Sequence, residues 1–190
     1  MRSLLLIRHG RSEYNEGLTT DLDSPIIPSA YRQTAIMADY LKTNLSDLEE
    51  WECLVSPYLR TLQTAEILHD ILGLNFIVDD RPREIMMKYE KVKIPNRKDK
   101  FKLFDWESVP SQGYQFFNEE LGDFLCRMQD FHSTIPVDGK FIVISHGSPI
   151  EVMKKLETLD ECVLPPYWVS NSSLTLIENN ISVWYNKVVY

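Results

Sequence analysis

Leu4-Leu5-Leu6-Ile7-Arg8-His9-Gly10-Arg11-Ser12-Glu13-Tyr14-Asn15 joins four apolar residues directly to Arg-His-Gly. A short continuous apolar run bounded by polar residues is the pattern of a fully buried strand. This one delivers an arginine and a histidine to its carboxyl end. The same device returns far along the chain in Phe141-Ile142-Val143-Ile144-Ser145-His146-Gly147. Two such strands, parallel in one sheet, bring two imidazoles to one sheet edge. Ligand sites of open α/β sheets lie beyond the carboxyl ends of the strands. A lone histidine after a strand is more often structural, so the argument rests on how many independent pieces agree.

Working outward, strand and helix patterns alternate, which is the signature of an α/β domain. Strand one is expected at about residues 3–8, and a polar loop follows through Asp23-Ser24-Pro25. A helix is expected from Pro28 to Lys42, with Pro28 in its first turn. Trp51 to Val55 is a second strand. Ser56 and Pro57 read as the N-cap and first position of a helix whose apolar face runs from Leu59 to Leu72, with Gly73 as terminator. Asn75 to Val78 is a third strand. Residues 85–111, interrupted by Pro95 and Pro110, read as an irregular cap. A long helix is expected from Tyr114 to His132 and another from Pro149 to Leu156. Ser173–Ile177 and Ile181–Tyr185 read as closing strands about an Asn179-Asn180 turn. The expected fold is a three-layer α/β sandwich, with a mostly parallel central sheet flanked by helices and a small cap insertion, in one domain over residues 1–190.

The 190 residues are 44% hydrophobic, enough for one buried core. No apolar stretch approaches the roughly 20 residues that cross a bilayer. Leu4 to Ile7 is too short for a signal-peptide core. Cys53, Cys126 and Cys162 are odd in number and widely spaced, which fits neither a disulfide framework nor a zinc site. A cytoplasmic location is the simplest expectation. The sequons at Asn44, Asn171 and Asn180 carry little meaning there. Net charge is −8, which disfavours nucleic acid and anionic membrane as partners. The window from Lys88 to Lys102 runs against that balance, with seven basic residues to two acidic ones, Glu90 and Asp99. If that window lines a pocket at this sheet edge, it selects substrates that carry additional negative charge, and Phe101, Phe104 and Trp106 are the fallback substrate contacts.

Two further pieces complete the pattern. Arg60 falls at the start of a helix just after a strand, where anions are favoured. Glu84 follows the third strand. Together these residues resemble the histidine phosphatase superfamily, the phosphoglycerate-mutase-like proteins. Arg8 through Asn15 resembles the opening motif, Ser56-Pro57-x-x-Arg60-x-x-Gln63-Thr64-Ala65 the second, and Ser145-His146-Gly147 the third. Asp23-Ser24-Pro25 and Gln33 fit the segment before the first helix, with Ala30 where a glycine is usual.

The resemblance implies a phosphoryl transfer site, which needs an in-line nucleophile and cations around the equatorial oxygens. His9 would be the nucleophile, passing through a phosphohistidine, with its tautomer fixed by a hydrogen bond at the other ring nitrogen. Arg8 and Arg60 would clamp the phosphate. His146 would donate to the same group, with Ser12 and Asn15 as neutral donors. No metal and no cofactor is expected. Glu84 falls where the family carries its general acid, a carboxyl with a raised pKa. Relatives often continue with a glycine and a Trp-Glu-Gly string, whereas this chain has Ile85-Met86-Met87-Lys88-Tyr89-Glu90, so Glu90 is the rival acid. The implied function is a metal-independent phosphomonoesterase acting on a small anionic phosphate ester. Phosphoglycerate-mutase-type transfer is the alternative, less expected at this length. Further alternatives are a phosphohistidine-type protein phosphatase and a non-catalytic phospho-ligand binding module. Oligomeric state is not read from the sequence.

Overall fold

The computed structural model describes residues 1–86, 90–158 and 169–189. β1 (Arg2–Arg8) carries the opening apolar run and is central. It pairs in parallel with β6 (Gly139–Ser145), in the register Leu4 to Phe141 and Leu6 to Val143. β2 (Trp51–Val55) lies parallel on the other side of β6, and β3 (Phe76–Val78) lies parallel beyond it. β7 (Ser173–Glu178) and β8 (Ile181–Val188) close the sheet antiparallel on the far side of β1. The strand order is β3-β2-β6-β1-β7-β8.

Side chains alternate across β1, and the two faces build two cores. Leu5 and Ile7 join Met37, Ala38 and Leu41 of α1 (Pro28–Asn44) and Leu62, Ala65 and Leu68 of α2 (Leu59–Leu72). Leu4 and Leu6 join Phe124, Met128 and Phe131 of α3 (Leu121–Thr134) and Ile150, Val152 and Met153 of α4 (Gly147–Thr158). The result is the expected three-layer α/β sandwich, with helices on both faces of the sheet. Among the described residues no helix is long and apolar enough to cross a membrane.

Three local expectations are corrected. Tyr114 does not begin a helix. It begins β5 (Tyr114–Phe117), which pairs antiparallel with β4 (Lys91–Ile94), so residues expected to be irregular form one arm of a hairpin. The alternation exposed-buried-exposed-buried along Lys91-Val92-Lys93-Ile94 is strand patterning, and the density of charge hid it. α2 begins at Leu59 rather than Pro57, so Ser56 is not its N-cap. Phe101, Phe104 and Trp106 lie in the core on the α1–α2 side of the sheet, and the hollow that Phe101 and Phe104 help to line is beside α2, without His9 or His146.

The hairpin also settles which way the basic segment faces. Val92 and Ile94 pack on Tyr58 and Met86, so Lys91 and Lys93 point to the opposite, solvent side. Lys100 and Lys102 line a separate hollow of about 200 Å³ with Glu66 and His69 of α2. Lys88 is outside the described residues. Cys53 is buried, with its thiol pushed up to about 12 by burial, and Cys126 is exposed. Cys162 is also outside the described residues.

Candidate active site

The carboxyl ends of β1, β6 and β2 meet at one point. The His9 amide donates to the Ser145 carbonyl (3.1 Å) and the Ser56 amide to the Ile144 carbonyl (3.1 Å). This continuation of the ladder fixes His9, His146 and Ser56 side by side. The imidazoles of His9 and His146 stand 5.1 Å apart between ring centroids. Both are buried, His9 at 2% exposure and His146 at 0%.

Arg60 joins them. It lies in the first turn of α2, is 6% exposed, and stacks its guanidinium 4.5 Å above the Tyr58 ring. Its Nε donates to His9 Nε2 (3.1 Å) and its Nη2 to His146 Nδ1 (3.1 Å). A guanidinium only donates, so both of those ring nitrogens present lone pairs. The tautomers follow. His9 carries its proton on Nδ1 and donates it to the Gly10 carbonyl (2.7 Å). His146 carries its proton on Nε2 and donates it to Ser56 Oγ (2.9 Å). Burial is the largest cause pushing the His9 pKa well below its ordinary 6.5, followed by the charges of Arg60 and Arg8. The Gly10 contact works the other way. His146 is lowered by burial, then by Arg60, His9 and Arg8. Both rings are therefore neutral at neutral pH.

Arg8 sits on the other flank, donating through Nη1 to the Val169 carbonyl. Glu84 faces it across Gly147: a Cβ on that glycine would lie 3.8 Å from Arg8 Cζ and 4.0 Å from Glu84 Oε2. Burial lowers the pKa of both arginines below the ordinary guanidinium value. The Glu84 charge opposes this at Arg8, as do Tyr58, Glu84 and Asp23 at Arg60. The segment leading to Glu84 is braced by Arg127 of α3, which donates to the carbonyls of Arg81 and Arg83 (the latter at 3.1 Å) and to both Glu119 oxygens. Glu84 itself accepts the Ile85 amide at 3.1 Å. Glu90 stands immediately before β4, at the start of the hairpin.

Ser12 and Asn15 form the near wall. The Ser12 amide and hydroxyl both donate to Asn15 Oδ1 (3.2 and 3.1 Å). That leaves the Asn15 amide nitrogen as the group able to donate to an anion. A cavity of about 490 Å³ adjoins, lined by Arg8, Arg11, Asn15, Gln33 and Asn171 among others. Arg11 pairs there with Glu16.

All seven residues expected from the sequence thus stand in or around one site. Sequence reasoning missed four supporting groups. Asn171, visible only as a sequon, donates to the His9 carbonyl and to Asn15 Oδ1 (3.2 Å each). Thr64 Oγ1 accepts the Gly10 amide (2.9 Å) and Gln63 Oε1 accepts the Ile26 amide (2.9 Å). Ser56, read as a cap, instead orients His146. The remaining histidines are occupied elsewhere: His69 Nδ1 meets the Leu74 carbonyl (2.8 Å), and His132 Nε2 meets Glu157 (2.8 Å), which also pairs with Arg2. Among the described residues no group of three His, Cys, Asp or Glu is placed to hold a metal ion.

This arrangement defines a class: an α/β sandwich with a buried two-histidine, two-arginine centre and a carboxylate at its mouth. The sequence pattern of the histidine phosphatase superfamily (branch 1) matches residues 4–187, and the chain belongs to that family. It is 27% identical, over 100% of its own length and 98% of the relative's, to a Hydrogenobacter thermophilus protein whose name proposes a phosphoserine phosphatase. It is 26% identical, over 97% and 88%, to a Yersinia enterocolitica protein whose name proposes a phosphoglycerate mutase. Among solved structures it resembles the ecdysone phosphate phosphatase of Bombix mori in complex with tungstate, with a TM-score of 0.72, 16% identity, and coverage of 98% and 93%. That last likeness concerns the fold.

Proposed function

We propose that this chain is a metal-independent phosphomonoesterase that acts on a small anionic phosphate ester through a phosphohistidine on His9. The observation that carries the reading is the tautomer of His9. Its Nδ1 proton is tied to the Gly10 carbonyl, so Nε2 points its lone pair into the site. A nucleophile must be unprotonated, and burial beside two arginines keeps it so.

In this mechanism the phosphoryl group enters beside Nε2, and its oxygens take the guanidinium donors of Arg60 and Arg8, joined by the amide of Asn15, which Ser12 holds in place. Arg60 then exchanges its two imidazole contacts for phosphate oxygens. His146 becomes a donor at Nδ1 when that nitrogen takes a proton from the bound phosphate monoanion, its Nε2 proton staying in the hydrogen bond to Ser56 Oγ. Developing negative charge is met by groups already in place, which is where such sites gain most of their rate. Glu84, at the mouth beside Arg8, gives a proton to the departing alkoxide and then takes one from the water that cleaves the phosphohistidine. Arg8, Arg60 and the protonated His146 supply the positive charge that magnesium supplies in other phosphoryl transfer sites.

Phosphoglycerate-mutase-type transfer is the second reading, favoured by the name of the Yersinia enterocolitica relative. Release of inorganic phosphate from the ester, against its return to a second hydroxyl, separates the two.

The test uses two esters whose leaving groups differ in basicity. Glu84→Gln should lose little on 4-nitrophenyl phosphate, whose phenolate leaves unaided. It should lose on the order of 10²-fold or more in kcat on an alkyl phosphate. Equal losses on both esters would remove Glu84 from the acid role, and the unequal pattern in Glu90→Gln would move that role to Glu90.

A further inference from the structure

The N-terminus of α2, where Arg60 sits, has no cap of its own. Tyr58 occupies the capping place and makes no side-chain cap bond. The amide of Leu59 is satisfied instead by a distant carboxylate, Asp23 Oδ1, at 2.7 Å. The neighbouring Leu22 carbonyl accepts Nη1 of Arg60. Two adjacent loop residues thus hold two adjacent helix residues, and one of those is the guanidinium between the histidines. Asp23 is 6% exposed. A buried carboxylate beside Arg60 is a hazard in a phosphate site, because it competes with the phosphate for the same cation.

Arg97 removes the competition. Its Nη2 donates to the free Asp23 oxygen at 2.6 Å, with only 14% of the Arg97 side chain and 6% of the Asp23 side chain exposed. It is the only arginine in the basic window from Lys88 to Lys102, and unlike Lys91 and Lys93 it points inward. Its backbone is held: the Arg97 carbonyl accepts the amides of Lys100 and Phe101 (2.9 Å each), and Phe101 is anchored in the core. The guanidinium therefore approaches Asp23 from a fixed base. Burial pushes the Asp23 pKa up, and the charge of Arg97 is the largest influence holding the carboxylate ionised against it, ahead of Arg60.

We propose that Arg97 is a positioning residue for Arg60: by pairing with Asp23 it neutralises that carboxylate and leaves the Arg60 charge to the phosphate. The proposal rests on the phosphate-site reading above. Asp23 in turn fixes the start of α2 whatever its charge, because its Oδ1 contact to Leu59 survives in an asparagine. Position and charge are therefore separable by mutation. One uncompensated charge several ångströms from Arg60, in an environment of effective dielectric about 20, is worth about tenfold or more in binding an anion.

The experiment measures inorganic phosphate binding by calorimetry, with KM and kcat on 4-nitrophenyl phosphate alongside, for the full chain and its R97A, R97K and R97A/D23N variants. R97A should bind phosphate about tenfold more weakly and raise KM more than it lowers kcat. R97K, which keeps the charge, should recover most of the loss. R97A/D23N should bind several-fold more tightly than R97A, although it lacks one more ionic group. A brace without an electrostatic role predicts the reverse order for that pair. Thermal melts identify any variant that fails to fold, and the R97K comparison remains if R97A does.

Phosphate affinity in R97A equal to wild type would overturn the proposal, as would R97A/D23N no better than R97A. If phosphate binding follows the expected order but no ester turns over, the positioning role stands and the hydrolase reading falls. A wild-type chain that binds no phosphate overturns both.

Discussion

At the scale of single residues the site is organised around charge that is buried before any substrate arrives. Arg60 holds His9 and His146 by their lone pairs, so both rings are neutral and fixed in tautomer. This has a consequence for stability. In the unfolded chain each imidazole titrates near 6.5, whereas in the fold both are held well below that value, first by burial and then by the arginines. Below about pH 6.5 the unfolded state binds protons that the native state refuses. The stability contributed by neutral rings is therefore complete above that pH and is lost as pH falls toward the folded values, by about 1.4 kcal/mol per pH unit for each ring. Urea midpoints between pH 7.5 and 5.5 should fall for the wild type, with a shallower slope for His146→Ala. A flat wild-type profile would mean that the rings titrate normally. His9, Arg8, Arg60 and His146 were legible in the sequence because each stands at a strand or helix boundary with a distinctive neighbour. Asn171 was not, because its role is to bind the His9 carbonyl and Asn15, a contact that exists only once β7 has been laid beside β1.

At the scale of elements, local pattern foretold the sheet strands well and the cap poorly. The runs in β1 and β6 are continuous and apolar because both faces of those strands are covered. β4 and β5 are four residues each, half-exposed, and hold together by pairing with each other and packing on Tyr58 and Met86. Composition signalled neither. The helix expected from Tyr114 instead starts at Leu121, because the β5 backbone is claimed by β4. Two glycines show what each element demands. Gly73 ends α2 at φ +75° with open space where a Cβ would go, and Gly113 precedes β5 at the same φ with the Ile94 carbonyl 2.2 Å from that point. Gly73→Ala should cost only the backbone strain, about 1 kcal/mol. Gly113→Ala adds a backbone clash to the strain and should cost about 3 kcal/mol or more, concentrated in the hairpin. Denaturant melts measure the totals, and amide exchange at Val92 and Phe116 locates the second. Equal, small costs would contradict the hairpin geometry.

At the scale of the whole molecule, the distribution of charge divides the basic segment in two. Its arginine points inward to the site's foundations while Lys91 and Lys93 face solvent. Selection for extra negative charge on the substrate therefore does not come from those two lysines. Replacing both with alanine should leave the ratio of kcat/KM between a phospho-carboxylate and a neutral-alcohol phosphate within about twofold at physiological salt, where the Debye length is about 8 Å and exposed charges facing away from a site act only through a screened field. A ratio that collapses would return the segment to the pocket wall. The fold class was legible because alternating strands and helices admit few α/β arrangements. The direction in which a charged loop faces was not, because it depends on which side of a four-residue strand is apolar.

The account stands on covalent chemistry at His9, and that is best measured directly. Wild-type protein is mixed rapidly with labelled substrate in excess EDTA, quenched without acid, and mapped. The account predicts an acid-labile, base-stable phosphoryl group on His9, formed at a rate that supports turnover, and no label in His9→Ala. Turnover without labelled His9, label on another residue, or dependence of the label on an added divalent cation would contradict it.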